Sequence, residues 1–190
     1  MAIQGAAGNA IVRNNKFTGN RTGIDLNFTS GNQVINNVID FNRTGMILRN
    51  QCTNNQIDEN QITNNWTMGV LWLAASASSI EDATGTTFFN NNISGNWYSQ
   101  IENRSLTGGV KNFSGNWLGA ASLVTANTNS AEPGYVAQIP VVYGGTATPP
   151  GGAFSVRGVG ISDMDYTPWL NVSTDTSSEI GFQGDFASLW

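Results

Sequence analysis

The motif Asn-x-[Ile/Phe]-x-x-Asn recurs along the first 117 residues and constrains the fold more than any other feature of the chain. Complete copies begin at Asn15, Asn37, Asn60 and Asn91, and a fifth copy at Lys111 lacks the first asparagine. The apolar position of the motif, from Phe17 to Phe113, therefore returns every 20 to 31 residues. A period in this range is typical of a solenoid, in which each repeat buries its apolar face by stacking on its neighbours.

Each copy contains three short apolar segments separated by Asn or Gly. One apolar residue lies three positions before the first Asn, and a Gly-apolar step follows the second Asn, as at Gly23, Gly45 and Gly69; Gln100 replaces this glycine in the fourth copy. Alternation of period two indicates strands, and no helical period of 3.6 is present. Three strands in about 22 residues predict an all-β, right-handed parallel β-helix of about five coils. Asparagine suits its corners and can form an amide ladder along its axis.

The spacing of the copies also predicts how the domain is laid out. Residues 1–117 form the coils, with an inserted loop at 74–85, and residues 118–190 form an irregular closing region with strands at 135–143 and 153–157. An insertion in a solenoid forms a loop on one face, often the binding face. No capping element precedes the first coil, so we expect residues 1–8 to cover it or another copy to associate with it, within a longer parent protein.

Composition excludes several classes of function. A net charge of −5 argues against a nucleic-acid partner, and no apolar stretch is long enough to span a membrane. The absence of histidine removes Ser-His-Asp and Cys-His catalysis and every His-ligated metal centre. Cys52 is the single cysteine, so it forms no intrachain disulfide. No cofactor is predicted, although Asp163 and Asp165 form a candidate calcium site.

The closing region carries a resemblance to a known family. The runs Asn-Trp-Leu-Gly at 116–119, Asp-Tyr-Thr-Pro-Trp-Leu at 165–170 and Gly-Phe-Gln-Gly-Asp-Phe at 181–186 resemble the ends of large bacterial secreted or cell-surface β-helix proteins of the pectate-lyase-like superfamily. This resemblance implies a secreted or surface location and the same fold. The polygalacturonase pattern of that superfamily is absent, whereas a lyase that uses Lys or Arg with carboxylate-bound calcium stays open.

One column of residues is a candidate glycan-binding site. The residues that follow the second Asn of successive copies are Arg21, Arg43, Trp66, Trp97 and Trp117. Stacked at one corner, the tryptophans would form an aromatic ladder, with Arg43 capping Trp66 by a cation–π contact. The ladder is either a platform for the sugar rings of a polysaccharide or a rigid element that only stabilises the corner. Trp72, in contrast, is expected in the core.

Carboxylates are the remaining candidates for catalysis. Asp25 and Glu102 share an outward column but lie three coils apart, about 14 Å at the spacing of parallel strands. That distance exceeds the separation of glycosidase carboxylates, about 5 to 9.5 Å. The inserted loop could instead bring Glu81 or Asp82 near Glu102. Two hypotheses follow: a glycan-binding or spacer module without catalysis, and a glycoside hydrolase or polysaccharide lyase that works without histidine.

Overall fold

A computed structural model describes residues 1–5, 8–73, 84–105, 109–128, 154–159 and 163–189. The described residues form short strands in three parallel sheets, which we call A, B and C. Sheet A contains, in spatial order, β1 (Ala2–Gln4), β4 (Thr22–Asn27), β7 (Thr44–Arg49), β10 (Met68–Leu73), β13 (Ser99–Asn103), β16 (Phe154–Gly158) and β15 (Thr125–Asn127). Sheet B contains β2 (Ile11–Arg13), β5 (Gln33–Ile35), β8 (Gln56–Asp58), β11 (Thr87–Phe89), β14 (Lys111–Asn112) and β17 (Met164–Asp165). Sheet C contains β3 (Lys16–Thr18), β6 (Val38–Asp40), β9 (Gln61–Thr63) and β12 (Asn92–Ser94).

The chain visits sheets B, C and A in turn and returns to B one coil further on. Every pair of neighbouring strands is parallel, and equivalent residues of successive repeats are register partners, as Val12 is with Val34 and Val34 with Ile57. The predicted all-β parallel β-helix is therefore confirmed. Among the described residues, no helix has the length and hydropathy needed to span a bilayer.

The core consists of columns of inward-facing apolar side chains, one or two from each sheet. The buried members are Val12, Val34, Ile57, Phe88 and Phe113 on the sheet B side, Ile39, Ile62, Ile93 and Leu118 on the sheet C side, and Ile24, Met46, Val70, Ile101 and Val156 on the sheet A side. Trp72 is buried among them and packs edge-on against Phe88 and Phe113, with ring centroids 5.9 Å apart in both pairs. Its predicted core position is confirmed.

Asparagine ladders run along the axis beside these columns, as predicted. In the first ladder, Nδ2 of Asn37 donates to Oδ1 of Asn60 at 3.0 Å, and Nδ2 of Asn60 donates to Oδ1 of Asn91 at 3.0 Å. The second ladder runs from Asn20 through Asn42 and Asn65 to Asn96. A third joins Asn32 to Asn55 and ends on Thr86. From Asn37 and Asn42 onward, each asparagine oxygen in the two longer ladders also accepts a backbone N–H of the preceding coil, so these ladders satisfy buried polar groups at the corners.

The last copy of the motif lies in a different register from the predicted one. Nδ2 of Asn91 donates to Oδ1 of Asn116, which places Asn116 in the first ladder rather than the second. Phe113 accordingly stacks on Phe88 of sheet B, with ring centroids 4.5 Å apart. The second ladder ends instead at Gln100, whose Oε1 accepts from the amide of Asn96. A glutamine within the fourth copy thus supplies the acceptor that a fifth asparagine would have supplied.

The segment after β17 runs back along the corner that follows sheet B. The backbone N–H of Gly184 donates to Oδ1 of Asn90, and that of Phe182 donates to the carbonyl of Glu59. Nε2 of Gln183 reaches Oδ1 of Asn36, one coil earlier. The segment ends in a 3₁₀ helix (Phe186–Ser188). The strand predicted at 153–157 corresponds to β16, whereas the strand predicted at 135–143 lies outside the described residues.

Candidate functional site

The corner between sheets C and A carries the predicted aromatic residues. The backbone N–H of Trp66 donates to the carbonyl of Asn42, and that of Trp97 donates to the carbonyl of Asn65. Arg43 occupies the same position one coil earlier, where its N–H donates to the carbonyl of Asn20. Arg43, Trp66 and Trp97 therefore lie in one column over three successive coils. We call these three residues the corner strip.

Trp117 does not belong to the corner strip, so that part of the predicted column is wrong. Its backbone N–H donates to the carbonyl of Asn91, and it forms an isolated bridge with Asn92 at the edge of sheet C. The reason is the register of the last copy, in which Asn116 takes the place of a first rather than a second asparagine. Trp117 is thus displaced from the corner by one strand.

The predicted stacking of the Trp66 ring on the Trp97 ring is also wrong. Trp66 is 67% exposed, which a ring held between two neighbours would not be. The ring pairs among the described residues involve Trp72, Phe88, Phe113, Phe89 and Phe186, and neither Trp66 nor Trp97 belongs to one of them. The cation–π contact of Arg43 with Trp66 stays a prediction. The indole of Trp66 consequently presents apolar surface to solvent.

Glu102 lies where the sequence predicted, but it is engaged and fully buried. It shares a column with Asp25, separated by Ile47 and Leu71, as the strand register shows. One carboxylate oxygen accepts from Nε of Arg104 at 2.5 Å, and the other accepts from Oγ of Ser99 at 3.2 Å. Both oxygens therefore already have protein partners. This arrangement is that of a structural ion pair.

The other predicted catalytic and metal residues stay predictions. Glu81 and Asp82 lie outside the residues that the structure describes. Asp165 is exposed, and its Oδ1 accepts from the backbone N–H and the hydroxyl of Thr167. Among the described residues, no group of three His, Cys, Asp or Glu side chains could hold a metal ion. The calcium site at Asp163 and Asp165 stays a prediction.

Sequence reasoning missed a groove on the outer face of sheet B. Its volume is about 270 Å³, and its lining residues are Asp58, Thr87, Phe88, Phe89, Asn112 and Ser114. Burial raises the pKa of the Asp58 carboxyl, whose Oδ2 accepts from Nε2 of Gln56 while its buried Oδ1 has no partner. Phe89 is half exposed and stacks on Phe186. Asp58 and Phe89 are the last residues of β8 and β11 and are register partners. An alignment of the last residue of each sheet B strand would therefore have placed Asp58 beside Phe89.

The fold defines this chain as a parallel β-helix with asparagine ladders in its corners. The family model described as "Periplasmic copper-binding protein (NosD)" matches residues 1–117. The chain belongs to this family, whose members are right-handed parallel β-helices. No curated protein and no solved structure gives a significant match. The description of the family supports an extracytoplasmic location for this β-helix module.

The copper in the family's description does not fit the residues of this chain. Copper in proteins is held by thiolate, thioether or imidazole ligands. The chain has no histidine, and its one cysteine, Cys52, is buried with Sγ donating to the carbonyls of Leu26 and Arg49. Met46 lies on β7, in the coil that begins with β5, whereas Met164 lies on β17, four strands away from β5 in sheet B. Met68 belongs to a separate outer cluster. These soft ligands do not form one site.

We therefore expect the purified chain to bind no copper at stoichiometric level. Titration with Cu(I) and Cu(II) in competition with a chromogenic chelator should leave the chelator saturated, because no set of three ligands converges. The Cys52→Ser variant should give the same curve as the natural chain. One copper per chain that survives dialysis and is lost in Cys52→Ser would contradict this expectation.

Proposed function

We propose that this chain is an extracytoplasmic β-helix module that binds glycans through the corner strip. The observation that carries the proposal is the 67% exposure of Trp66 beside Trp97 at the same corner of the next coil. An exposed indole leaves a large apolar face in water, and its ring N–H adds a donor at the rim. Sugar rings have apolar C–H faces and hydroxyl rims, so they match both features.

The rigid base of the corner strip supports this proposal. Each strip residue directly follows a buried ladder asparagine, namely Asn42, Asn65 or Asn96. The amide of Asn65 donates to Asn96 and to the carbonyl of Ile39, so the backbone under Trp66 is fixed. A site on a rigid backbone loses little conformational entropy when it binds. The strip is therefore suited to recognition of an extended chain.

The arrangement of Glu102, Asp25, Asp58 and Asp165 does not support the alternative of a glycan-cleaving enzyme. Glu102 is engaged with Arg104 and Ser99, and Asp25 accepts two hydrogen bonds from Arg49, the shorter at 2.6 Å. Asp58 and Asp165 lie on strands separated by two others in sheet B, about 14 Å at the spacing of neighbouring strands. That separation exceeds what hydrolysis by two carboxylates requires. The proposal is therefore binding without catalysis.

The test is retention on immobilised polysaccharides. The natural chain should bind at least one member of a panel of neutral and acidic polysaccharides. The double variant Trp66→Ala, Trp97→Ala should lose at least about tenfold in affinity, because truncating an aromatic at the centre of an interface typically costs more than 1 kcal/mol. Isothermal titration with oligosaccharides of the retained polysaccharide gives the dissociation constants.

Phe28→Ala is the matched control for the double variant. Phe28 is also an exposed aromatic residue at a corner, but it follows sheet A instead of preceding it. The Phe28→Ala variant should bind like the natural chain. Circular dichroism should show that the natural chain, the double variant and Phe28→Ala all keep the β-helix. Equal retention of the double variant and Phe28→Ala would overturn the role of the corner strip. Failure of the natural chain to bind any polysaccharide would leave the module as a spacer.

A further inference from the structure

The groove on the outer face of sheet B is built by three neighbouring strands. The strand register pairs Asp58 of β8 with Phe89 of β11, and Thr87 of β11 with Asn112 of β14. The volume of the groove, about 270 Å³, lies below the usual range for drug-sized ligands, about 300–1,000 Å³. The groove is therefore sized for one side chain or a small molecule. It lies on sheet B, away from the corner strip between sheets C and A, so its ligand is independent of the proposed function.

The carboxylate of Asp58 lacks a cationic partner. The carboxylates of Asp25, Asp40 and Glu102, which also lie on strands, each form a salt bridge with a Lys or Arg side chain. No salt bridge within the described part of the chain involves Asp58. Its Oδ2 accepts from Nε2 of Gln56, and its Oδ1 has no hydrogen-bond partner. Asp58 therefore lacks the counter-ion that the other three carboxylates have.

The surroundings of Asp58 favour a positively charged ligand. Its register partners, Ile35 on β5 and Phe89 on β11, are uncharged, and the acidic Glu59 follows it in the chain. Burial raises the pKa of the Asp58 carboxyl, the hydrogen bond from Gln56 opposes this effect, and the charge of Glu59 adds to it. A cation in the groove would stabilise the charged form of this carboxylate.

Phe89 gives the groove an aromatic wall. The residue is 47% exposed and lines the groove. Its ring stacks on that of Phe186, with centroids 5.0 Å apart, so one face is covered and the ring is held in place. A flat guanidinium stacks on an aromatic ring and is attracted to its π electrons, whereas an ammonium ion has no flat face. The wall therefore favours a guanidinium over an ammonium group.

Hydroxyl groups complete the lining of the groove. Oδ1 of Asn112 accepts from the backbone N–H and the hydroxyl of Ser114, which fixes the position of that hydroxyl. Ser114 and Thr87 both line the groove, and a hydroxyl oxygen offers two lone pairs. A guanidinium has five N–H donors and no acceptor. The groove thus combines a carboxylate, an aromatic wall and neutral acceptors, which are the groups that a guanidinium needs.

We propose that the groove on sheet B binds a guanidinium group, with Asp58 as its counter-ion and Phe89 as its stacking wall. Asp58 is only partly buried and lines the groove, so the ligand reaches the carboxylate from the open side. The guanidinium belongs either to a free small molecule or to an arginine side chain of a protein partner, since both fit the volume.

The experiment compares N-acetyl-arginine amide with its citrulline analogue, in which an uncharged urea replaces the guanidinium. Isothermal titration at low ionic strength should show that the arginine derivative binds at least about tenfold more tightly, because hydrogen bonds to charged groups typically contribute that factor or more. Asp58→Asn, which keeps the shape of the side chain, should remove this preference. Equal affinity of the natural chain for the two compounds, or no binding of either, would overturn the inference.

Glu179→Gln is the matched control for Asp58→Asn. Glu179 is an exposed carboxylate in the segment after β17, so this variant loses the same charge outside the groove. It should bind the arginine derivative as the natural chain does, and a loss equal to that of Asp58→Asn would overturn the assignment of the site. Phe89→Leu should bind the arginine derivative more weakly, and unchanged binding would contradict the role of the aromatic wall.

The pH dependence separates a counter-ion from a structural residue. Affinity for the arginine derivative should fall as the pH is lowered through the raised pKa of Asp58, because protonation removes the negative charge. Asp58→Asn should show no such dependence over the same range. It should also melt at a temperature no lower than the natural chain, because it removes a partly buried charge that has no counter-ion. A marked fall in its melting temperature would assign Asp58 a structural role and overturn the inference.

Two further probes identify the chemistry and the source of the ligand. N-acetyl-lysine amide should bind more weakly than the arginine derivative, and equal binding would overturn the choice of a guanidinium. A blocked glycine pentapeptide with a central arginine tests the source. Tighter binding of this peptide than of the arginine amide would support a side chain of a protein partner, whereas weaker binding would support a free small molecule.

Discussion

Replacing Asn60 with alanine is expected to lower the free energy of unfolding by about 3–5 kcal/mol. Asn60 is fully buried at the middle of the first ladder. Its Oδ1 accepts from the backbone N–H and the amide of Asn37, at 2.9 and 3.0 Å. Its Nδ2 donates to Asn91 and to the carbonyls of Val34 and Asp58. Alanine therefore leaves several buried groups on three coils without partners.

Asn64→Gly is the matched control for this prediction. Asn64 is also a corner asparagine, but it is exposed and has a positive φ of 56°. Glycine adopts that conformation without strain, so the control should change stability by no more than about 0.5 kcal/mol. Urea denaturation followed by circular dichroism and by tryptophan fluorescence gives both values. A loss below about 1 kcal/mol for Asn60→Ala would contradict the structural importance of the ladder.

The sequence predicts the scaffold well because a solenoid repeats its local chemistry. Val12, Val34 and Ile57 recur at one offset from the motif, and each coil buries such a residue against the next. Asparagines at equivalent positions can then meet only along the axis. The fold, the core columns and the ladders therefore follow from the period and the residue types alone.

The register at the end of the repeat could not be predicted in the same way. Two alignments of the last copy are equally consistent with the motif, because Phe113 suits either the sheet B or the sheet C column. In the structure Oε1 of Gln100 accepts from Asn96 and ends the second ladder, and Asn116 joins the first ladder. The end of the second ladder is thus formed by a side chain within the fourth copy itself. That effect acts between coils and leaves no periodic signal.

The sequence predicted which residues of the candidate site share a corner, because backbone position alone determines that. It did not predict the exposure or the contacts of their side chains. The column that contains Arg43, Trp66 and Trp97 follows from the alignment, whereas the exposure of the Trp66 ring depends on the absence of packing partners. On sheet B, the register places Asp58 beside Phe89, whereas the lack of a partner for Oδ1 of Asp58 is visible only in three dimensions.

Family membership therefore determines the scaffold of this chain and leaves its chemistry open. The β-helix coils match the NosD family over residues 1–117, yet Met46 and Met164 lie several coils apart and Met68 lies in a separate outer cluster. A buried polar atom without a partner is found instead on Asp58. A common scaffold with different side chains on its faces is expected, since function is determined by sites on the fold.

Gly45→Ala is expected to destabilise the fold by about 2–4 kcal/mol, although it adds a single methyl group. A Cβ at Gly45 would lie 2.5 Å from the carbonyl oxygen of Gly69 in the next coil. It would also lie 2.8 Å from Nδ2 of Asn65 and 2.8 Å from Cγ2 of Ile62. Because a backbone atom is among these neighbours, the coils have to move apart at that point, and the ladder bond of Asn65 is strained as well.

Gly19→Asn is the control for Gly45→Ala. It tests whether the loss of stability comes from the steric clash of the added Cβ or from the replacement of any glycine. Gly19 has a positive φ of 71°, and a Cβ added there would meet nothing within 4 Å. Phe41 and Asn64 already occupy equivalent corners with positive φ. Asparagine tolerates that conformation, so this variant should stay within about 0.5 kcal/mol of the natural chain. Equal stability of the two variants would contradict the steric argument. A loss confined to Gly45→Ala, together with weaker glycan binding, would show that close packing of the coils positions the corner strip.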